Sequence, residues 1–228
     1  MKRKIYTFFI AITVIFGNSS CGDFLEENSQ TLSYVYSTSD LLEILAGSGY
    51  MPTRGFSAFD RSLLWLNTMD DDIRITIVKA PDTYYAGKTL NFHYWQAYPY
   101  SESDKQNVNT DFGGNSTWLN LYKYIGVANI VISEAERFKE SEPEGYRKAR
   151  GEALFLRAQY YFYLVNIYGH PYNVNTASTD LGVPLKITEY IEDTEGFSRN
   201  TVAQCYNQIV EDLKESITLL GGVTQKSI

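Results

Sequence analysis

Apolar residues fall three and four apart at Trp118, Leu121, Tyr122, Ile125, Ala128, Ile132 and Ala135, which is the spacing of one helical face, and the run ends near Phe138. Ser141-Glu142-Pro143-Glu144 then predicts a capping box, with the serine hydroxyl facing the N3 amide and Glu144 reaching back, so a second helix begins there. Between Ala153 and Tyr168 only Arg157, Gln159 and Asn166 are polar, and a helix apolar almost all round is one packed on several sides. Gly169 and Pro171 stop it. A third helix opens at Thr201 with Gln204 in the capping-box position, carries Val202, Cys205, Tyr206, Ile209, Leu213, Ile217 and Leu220 on one face, and ends at Gly221-Gly222. Its other face, with Gln208, Glu211, Asp212 and Glu215, is expected in solvent. A guanidinium inside the apolar second helix must be paired or must snorkel to solvent; an ion pair is the first expectation for Arg157, with Glu134, Glu136 and Asp212 as candidate partners.

Ahead of these helices the pattern is weaker. Asp40 to Ala46 reads as a short helix with Ser39 as N-cap and Gly47 just past its end. Leu63, Leu64, Leu66 and Met69 suit one face of a further helix before Asp70-Asp71-Asp72. Residues 78–116 read as a long loop with some helix inside it, since Pro81, Pro99 and Gly113-Gly114 punctuate a polar stretch studded with aromatic rings. Loops of that length in compact proteins are usually functional. The connector 172–200 shows no clear period.

The amino terminus has a different character. Lys2, Arg3 and Lys4 precede twelve uncharged residues, Ile5 to Phe16, and then small residues up to Cys21, the layout of a secretory signal peptide over residues 1–20. The apolar run is shorter than the roughly 20 residues needed to cross a membrane. Ser19-Ser20-Cys21 resembles a bacterial lipobox, although Asn18 stands where an apolar residue is usual. Cys21 is therefore expected to carry a lipid anchor, each buried CH₂ contributing about 0.8 kcal/mol.

Composition narrows the function. The 228 residues carry 20 Lys and Arg against 27 Asp and Glu, and all three cations of residues 1–20 leave with the leader, so the remainder stands at −10. Nucleic-acid binding by phosphate neutralisation is excluded on that balance. Two cysteines give no disulfide framework. No G-x-S-x-G, H-E-x-x-H or paired C-x-x-C occurs, and His93 and His170 are the only imidazoles. Asp70-Asp71-Asp72 has the oxygen chemistry of a glycosidase pair or a calcium site but reads as solvated surface. Cys205, on an apolar face, reads as a buried inert thiol. Neither a catalytic residue, a metal site nor a cofactor is expected. Aromatic residues make up 15% of the chain, 19 of them Tyr, a side chain that packs as a hydrophobe and still offers a hydroxyl.

Helix pairs joined by a short link near 139–145 are the unit of α-solenoids, so the fold expected is all-α, a tetratricopeptide-like helical repeat with long irregular loops. The third helix lacks a following partner and must pack back on earlier elements or belong to a longer protein. Within this frame, Cys21-Gly-Asp-Phe-Leu-Glu, Trp118-x3-Tyr122-x2-Ile125-x2-Ala128-Asn129, and the segment from Ala149 to Leu164 followed by Gly169-His170-Pro171 resemble the RagB/SusD family. Gly182-Val183-Pro184-Leu185, Arg199-Asn200-Thr201-Val202 and Tyr206-x2-Ile209-x2-Asp212-Leu213 fit in order and spacing.

Members are typically about twice as long, so residues 21–228 resemble the N-terminal helical-repeat region. The resemblance implies a non-enzymatic, surface-exposed lipoprotein of the outer membrane that works with a SusC-like TonB-dependent transporter in uptake of oligosaccharides or peptides. A helical-repeat interaction module of another envelope complex is the alternative, and a glycan-active enzyme a distant third. No ligand position carries over by motif. Sugars present apolar CH faces, and Tyr84, Tyr85, Tyr94, Trp95 and Tyr98 are rings in a suitable loop for stacking on them.

Overall fold

The computed structural model describes residues 35–51, 63–71, 90–96, 116–189 and 196–221. In chain order the helices are α1 (Thr38–Ile44), α2 (Leu64–Thr68), α3 (Ser116–Ala135), α4 (Pro143–Tyr168) and α5 (Val202–Leu220). Among the described residues the only β pairing is an isolated antiparallel bridge between Leu181 and Thr201, so the all-α expectation holds.

Helix α3 runs on through a 3₁₀ turn, Glu136–Phe138, and the chain reverses into α4 over four residues. Expected boundaries are met, but the expected capping box is not. Glu142 is the N-cap, without a side-chain cap bond, and Pro143 occupies the first turn, where a missing N–H costs nothing. The Glu142 carboxylate is taken instead by Thr38, whose backbone N–H and hydroxyl donate to it at 3.0 and 2.6 Å. Helix α1 is thereby tied to the start of α4. Its own cap is Ser37, two residues before the serine expected, because Asp40 stands at N3 of Ser37 and accepts the Ser37 amide while the Ser37 hydroxyl accepts from Asp40 N–H. Nor does the helix end at Gly47: a π-helical turn, Leu45–Gly49, extends it. The Gly49 carbonyl accepts from the buried Tyr160 hydroxyl at 2.6 Å, and Leu41 and Leu45 are fully buried.

The bonds from Thr38, hydroxyl first and then amide, hold the Glu142 carboxyl below its usual value of 4.5, and the Tyr36 amide does the same for Asp40. A carboxyl depressed in the native state stabilises above its unfolded pKa, and that contribution is lost as pH falls through the native value. Below about pH 4.5 the amides of α1 should therefore lose hydrogen-exchange protection ahead of those of α4. Glu142→Gln should remove the Glu142 share of that dependence, whereas equal acid response in both helices would refute the tether.

Helices α3 and α4 lie antiparallel, as do α4 and α5. Along α3 and α4, Arg150 Nη1 donates to the Ile132 carbonyl, Arg157 Nη1 to Asn129 Oδ1, and Trp118 meets Tyr168 edge to face. Between α4 and α5, Arg147 donates to the Leu219 and Gly221 carbonyls at one end and Phe162 meets Tyr206 at the other. Gly151 allows the closest approach: a Cβ there would lie 2.8 Å from Leu220 Cγ, and its carbonyl accepts from Ser216 Oγ. So α5 packs back on α4. Its Thr201–Gln204 capping box forms as expected.

Two positions on α5 depart from expectation. Asp212, placed in solvent with Gln208, Glu211 and Glu215, is 3% exposed and takes Arg157 in a two-pronged ion pair, while Ile217, placed on the buried stripe, is 71% exposed. Helical phase explains both, since the face α5 turns to α4 is centred on Cys205, Ile209, Asp212 and Ser216.

The described parts of the connector between α4 and α5 are held by backbone bonds despite the lack of period. His170 N–H donates to the Leu181 carbonyl, Gly182 N–H to Asn200, and Val202 N–H to Asp180. Cys205 is a buried free thiol whose Sγ lies 3.4 Å from both the N and the O of Val183, and burial pushes its pKa up, as expected of an inert thiol.

Candidate functional site

Helix α2 and the short helical segment 90–93 build an aromatic group that reaches solvent at Tyr94 and Trp95. Trp65 anchors it: its indole N–H donates to Thr117 Oγ1 at 3.3 Å, and Phe92 stacks on its ring at 5.0 Å and 28°. Leu63 is buried, but Leu66, expected on the same face, is 38% exposed. Trp65, absent from the expected face, makes the contact that matters.

The segment ends in a Schellman motif. Gln96 N–H donates to the Asn91 carbonyl and Trp95 N–H to the Phe92 carbonyl, both at 2.9 Å, the paired 6→1 and 5→2 bonds that close a helix C-terminus. The residue at the turn must be left-handed, a position glycine usually fills. Here it is Trp95, at φ 52°. A bulky L residue there costs about 1–2 kcal/mol. At this turn Trp95 is 70% and Tyr94 59% exposed. Beneath them His93 Nδ1 lies 2.9 Å from the Thr68 carbonyl, so the ring donates Nδ1–H to α2, and its edge meets Tyr94 at 5.2 Å.

An exposed indole with a neighbouring phenol is a surface for stacking on an apolar ring face with one hydroxyl free to exchange hydrogen bonds. Of the rings singled out in the sequence, Tyr94 and Trp95 are brought together on this turn, while Tyr84, Tyr85 and Tyr98 lie outside the described residues, as does Cys21. Asp70 and Asp71 are exposed, in keeping with a solvated surface, and Asp72 lies outside the described residues. Among the described residues no three His, Cys, Asp or Glu side chains gather closely enough to hold a metal ion. No helix of the described residues is long and apolar enough to cross a membrane. His170, at the exit of α4, is exposed, with Nδ1 4.0 Å from Asp180 Oδ1.

Comparison with known proteins agrees with this architecture. The sequence profile of the SusD-like family, described as starch-binding and associating with the outer membrane, matches residues 64–228. A SusD-like protein of Formosa agariphila is 25% identical over 170 residues, 73% of this chain and 31% of that protein. Among solved structures, a Bacteroides vulgatus protein provisionally described as sugar-binding aligns with TM-score 0.59 and 27% identity, over 86% of this chain and 40% of that one. A SusD-superfamily protein of Bacteroides fragilis aligns with TM-score 0.55 and 26% identity, over 80% of this chain and 39% of that one. The chain thus spans about a third of the length of the curated relative it matches.

Proposed function

Since the chain belongs to the SusD-like family, we propose that it is a glycan-binding, non-enzymatic lipoprotein exposed on the outer membrane, holding oligosaccharide for a SusC-like TonB-dependent transporter. Cys21 would carry the lipid after loss of residues 1–20, and Trp95 with Tyr94 would stack on the sugar. The observation that carries the binding role is Trp95 itself. A tryptophan in a left-handed turn that glycine would occupy without strain, with its ring in solvent, supports a role in contacting something outside the fold. Family description and the sugar-binding relative supply the ligand class.

A second reading, a helical-repeat interaction module, draws on apolar side chains left on the outer surfaces of α4 and α5, where Phe155, Phe162, Val210 and Ile217 are exposed. The two readings part on one experiment. The mature protein, screened on an array of oligosaccharides and then titrated calorimetrically with the tightest, should bind saturably without cleaving it. Trp95→Ala should weaken binding at least tenfold, about 1.4 kcal/mol. Trp95→Gly should weaken it equally while thermal stability holds or rises, because the strain leaves with the ring. Unaltered affinity in both variants would remove Trp95 from the site, and an array blank for the wild type would favour the interaction module. Expressed with its leader in a bacterium that makes lipoproteins, the protein should partition into detergent, and Cys21→Ser should not.

A further inference from the structure

A second aromatic feature lies along α3, sharing no residue with the Trp95 turn. Trp118, Tyr122 and Gly126 on α3 face Lys186, Glu189 and Phe197 of the connector across an open cleft of about 290 Å³. Both walls are held in place before any ligand arrives. The Tyr122 hydroxyl donates to the Pro184 carbonyl at 2.7 Å. Tyr161 grips Lys186 twice, its hydroxyl donating to the carbonyl and accepting from the N–H, and Asn129 Nδ2 donates to the carbonyls of Lys186 and Thr188.

Gly126 is the unusual member. Glycine inside a helix costs about 0.8–1 kcal/mol relative to alanine. At Gly49, Gly145 and Gly151 a Cβ would come within 3 Å of a neighbouring side chain. At Gly126, as at Gly47, nothing among the described residues lies within 4 Å of that position. Among the described residues no packing contact calls for Gly126, and as a lining residue it leaves that part of the cleft unfilled. The lining combines aromatic rings with one ammonium and one carboxylate at the rim, Lys186 Nζ standing 5.6 Å from the Phe197 ring centroid. Apolar walls with a few polar groups suit a small ring that has an apolar face and a hydroxylated edge. The Trp118 end of the cleft is linked to the Trp95 turn: Thr117, next to Trp118, accepts from Trp65, on which Phe92 of that turn is stacked.

We infer that this cleft is a second carbohydrate subsite, seating one pyranose ring against Trp118 with its hydroxyls toward Lys186 and Glu189. The inference rests on the glycan-binding reading above. Its test fills the cleft: Gly126→Leu places a side chain in open space and favours the helix, so the variant should fold with unchanged or higher thermal stability. Titrated with the tightest array oligosaccharide, it should bind at least tenfold more weakly than wild type. The Trp118 indole N–H resonance should shift on titration in the wild type and stay still in Gly126→Leu. Phe197→Ala, an exposed connector side chain, supplies an independent variant with the same expected loss. Wild-type affinity in both folded variants, with Trp95→Ala still defective, would overturn the cleft and leave the glycan-binding role standing. A wild type that binds no oligosaccharide would overturn both.

Discussion

Asp212→Ala should cost about 3–5 kcal/mol of stability, the largest single loss expected from any polar substitution in this fold. The Arg157 guanidinium is 6% exposed and its whole fork is spoken for: Nε and Nη2 reach Asp212 at 2.8 and 2.7 Å, and Nη1 reaches Asn129 at 2.9 Å. Gln208 Nε2 also donates to Asp212, at 2.9 Å. Removing the carboxylate leaves a buried cation with only neutral acceptors, Asn129 Oδ1 and, at 3.5 Å, the Ile187 carbonyl. The pair itself contributes far less than that, because taking two charges out of water nearly cancels their attraction. Arg157→Met combined with Asp212→Leu should therefore recover most of what either change alone loses. Urea unfolding followed by circular dichroism gives the comparison, with the transition midpoint on heating moving roughly 2–4 °C per kcal/mol for a chain of this size. A loss under 1 kcal/mol for Asp212→Ala would mean water reaches the site and the charge is not truly buried.

Gly145→Ala should be nearly as damaging, by about 3 kcal/mol, although it adds one methyl group. The new Cβ would fall 1.9 Å from Thr38 Oγ1 and 2.6 Å from Thr38 Cβ. Rotating Thr38 relieves the first clash and not the second, so α1 must lift from α4, exposing Leu41 and Leu45 and breaking the bonds from Thr38 to Glu142. The effect should be non-additive. In a Thr38→Gly background, which lacks both clashing atoms, Gly145→Ala should cost a small fraction of its value alone. Equal cost in both backgrounds would show that the crowding lies elsewhere.

Those two sites mark the boundary between what the sequence displays and what only the fold reveals. Helices α3, α4 and α5 were legible because their apolar residues repeat at helical spacing and because Thr201 and Gln204 cap locally, three residues apart. Glu142 was misread for the converse reason: its partner is Thr38, 104 positions away, and local grammar has no term for a distant competitor. Asp212 was read in two ways, as a solvated residue and as one of three partners for Arg157. Periodicity alone cannot separate them, since a carboxylate at a buried register looks the same in sequence as one on the surface. At the candidate site the rings were visible as residue types, and their placement was not. A Schellman turn is found by its glycine, and Trp95 stands in the glycine's place. The cleft beside Trp118 was hidden because it depends on the connector, whose order comes from backbone bonds that leave no hydrophobic pattern.

The Cys205 thiol carries a consequence beyond packing. Its sulfur is enclosed where α5 meets Gly182 and Val183, and a reagent reaches it only after that stretch of connector lifts away. Alkylation of this one position is therefore a clock for a partial opening that leaves α3 and α4 paired, timed separately from global unfolding. The same stretch leads into the wall of the cleft at Pro184 and Lys186. A ligand seated there would slow the clock, so the chain carries a covalent reporter of occupancy without any label being added.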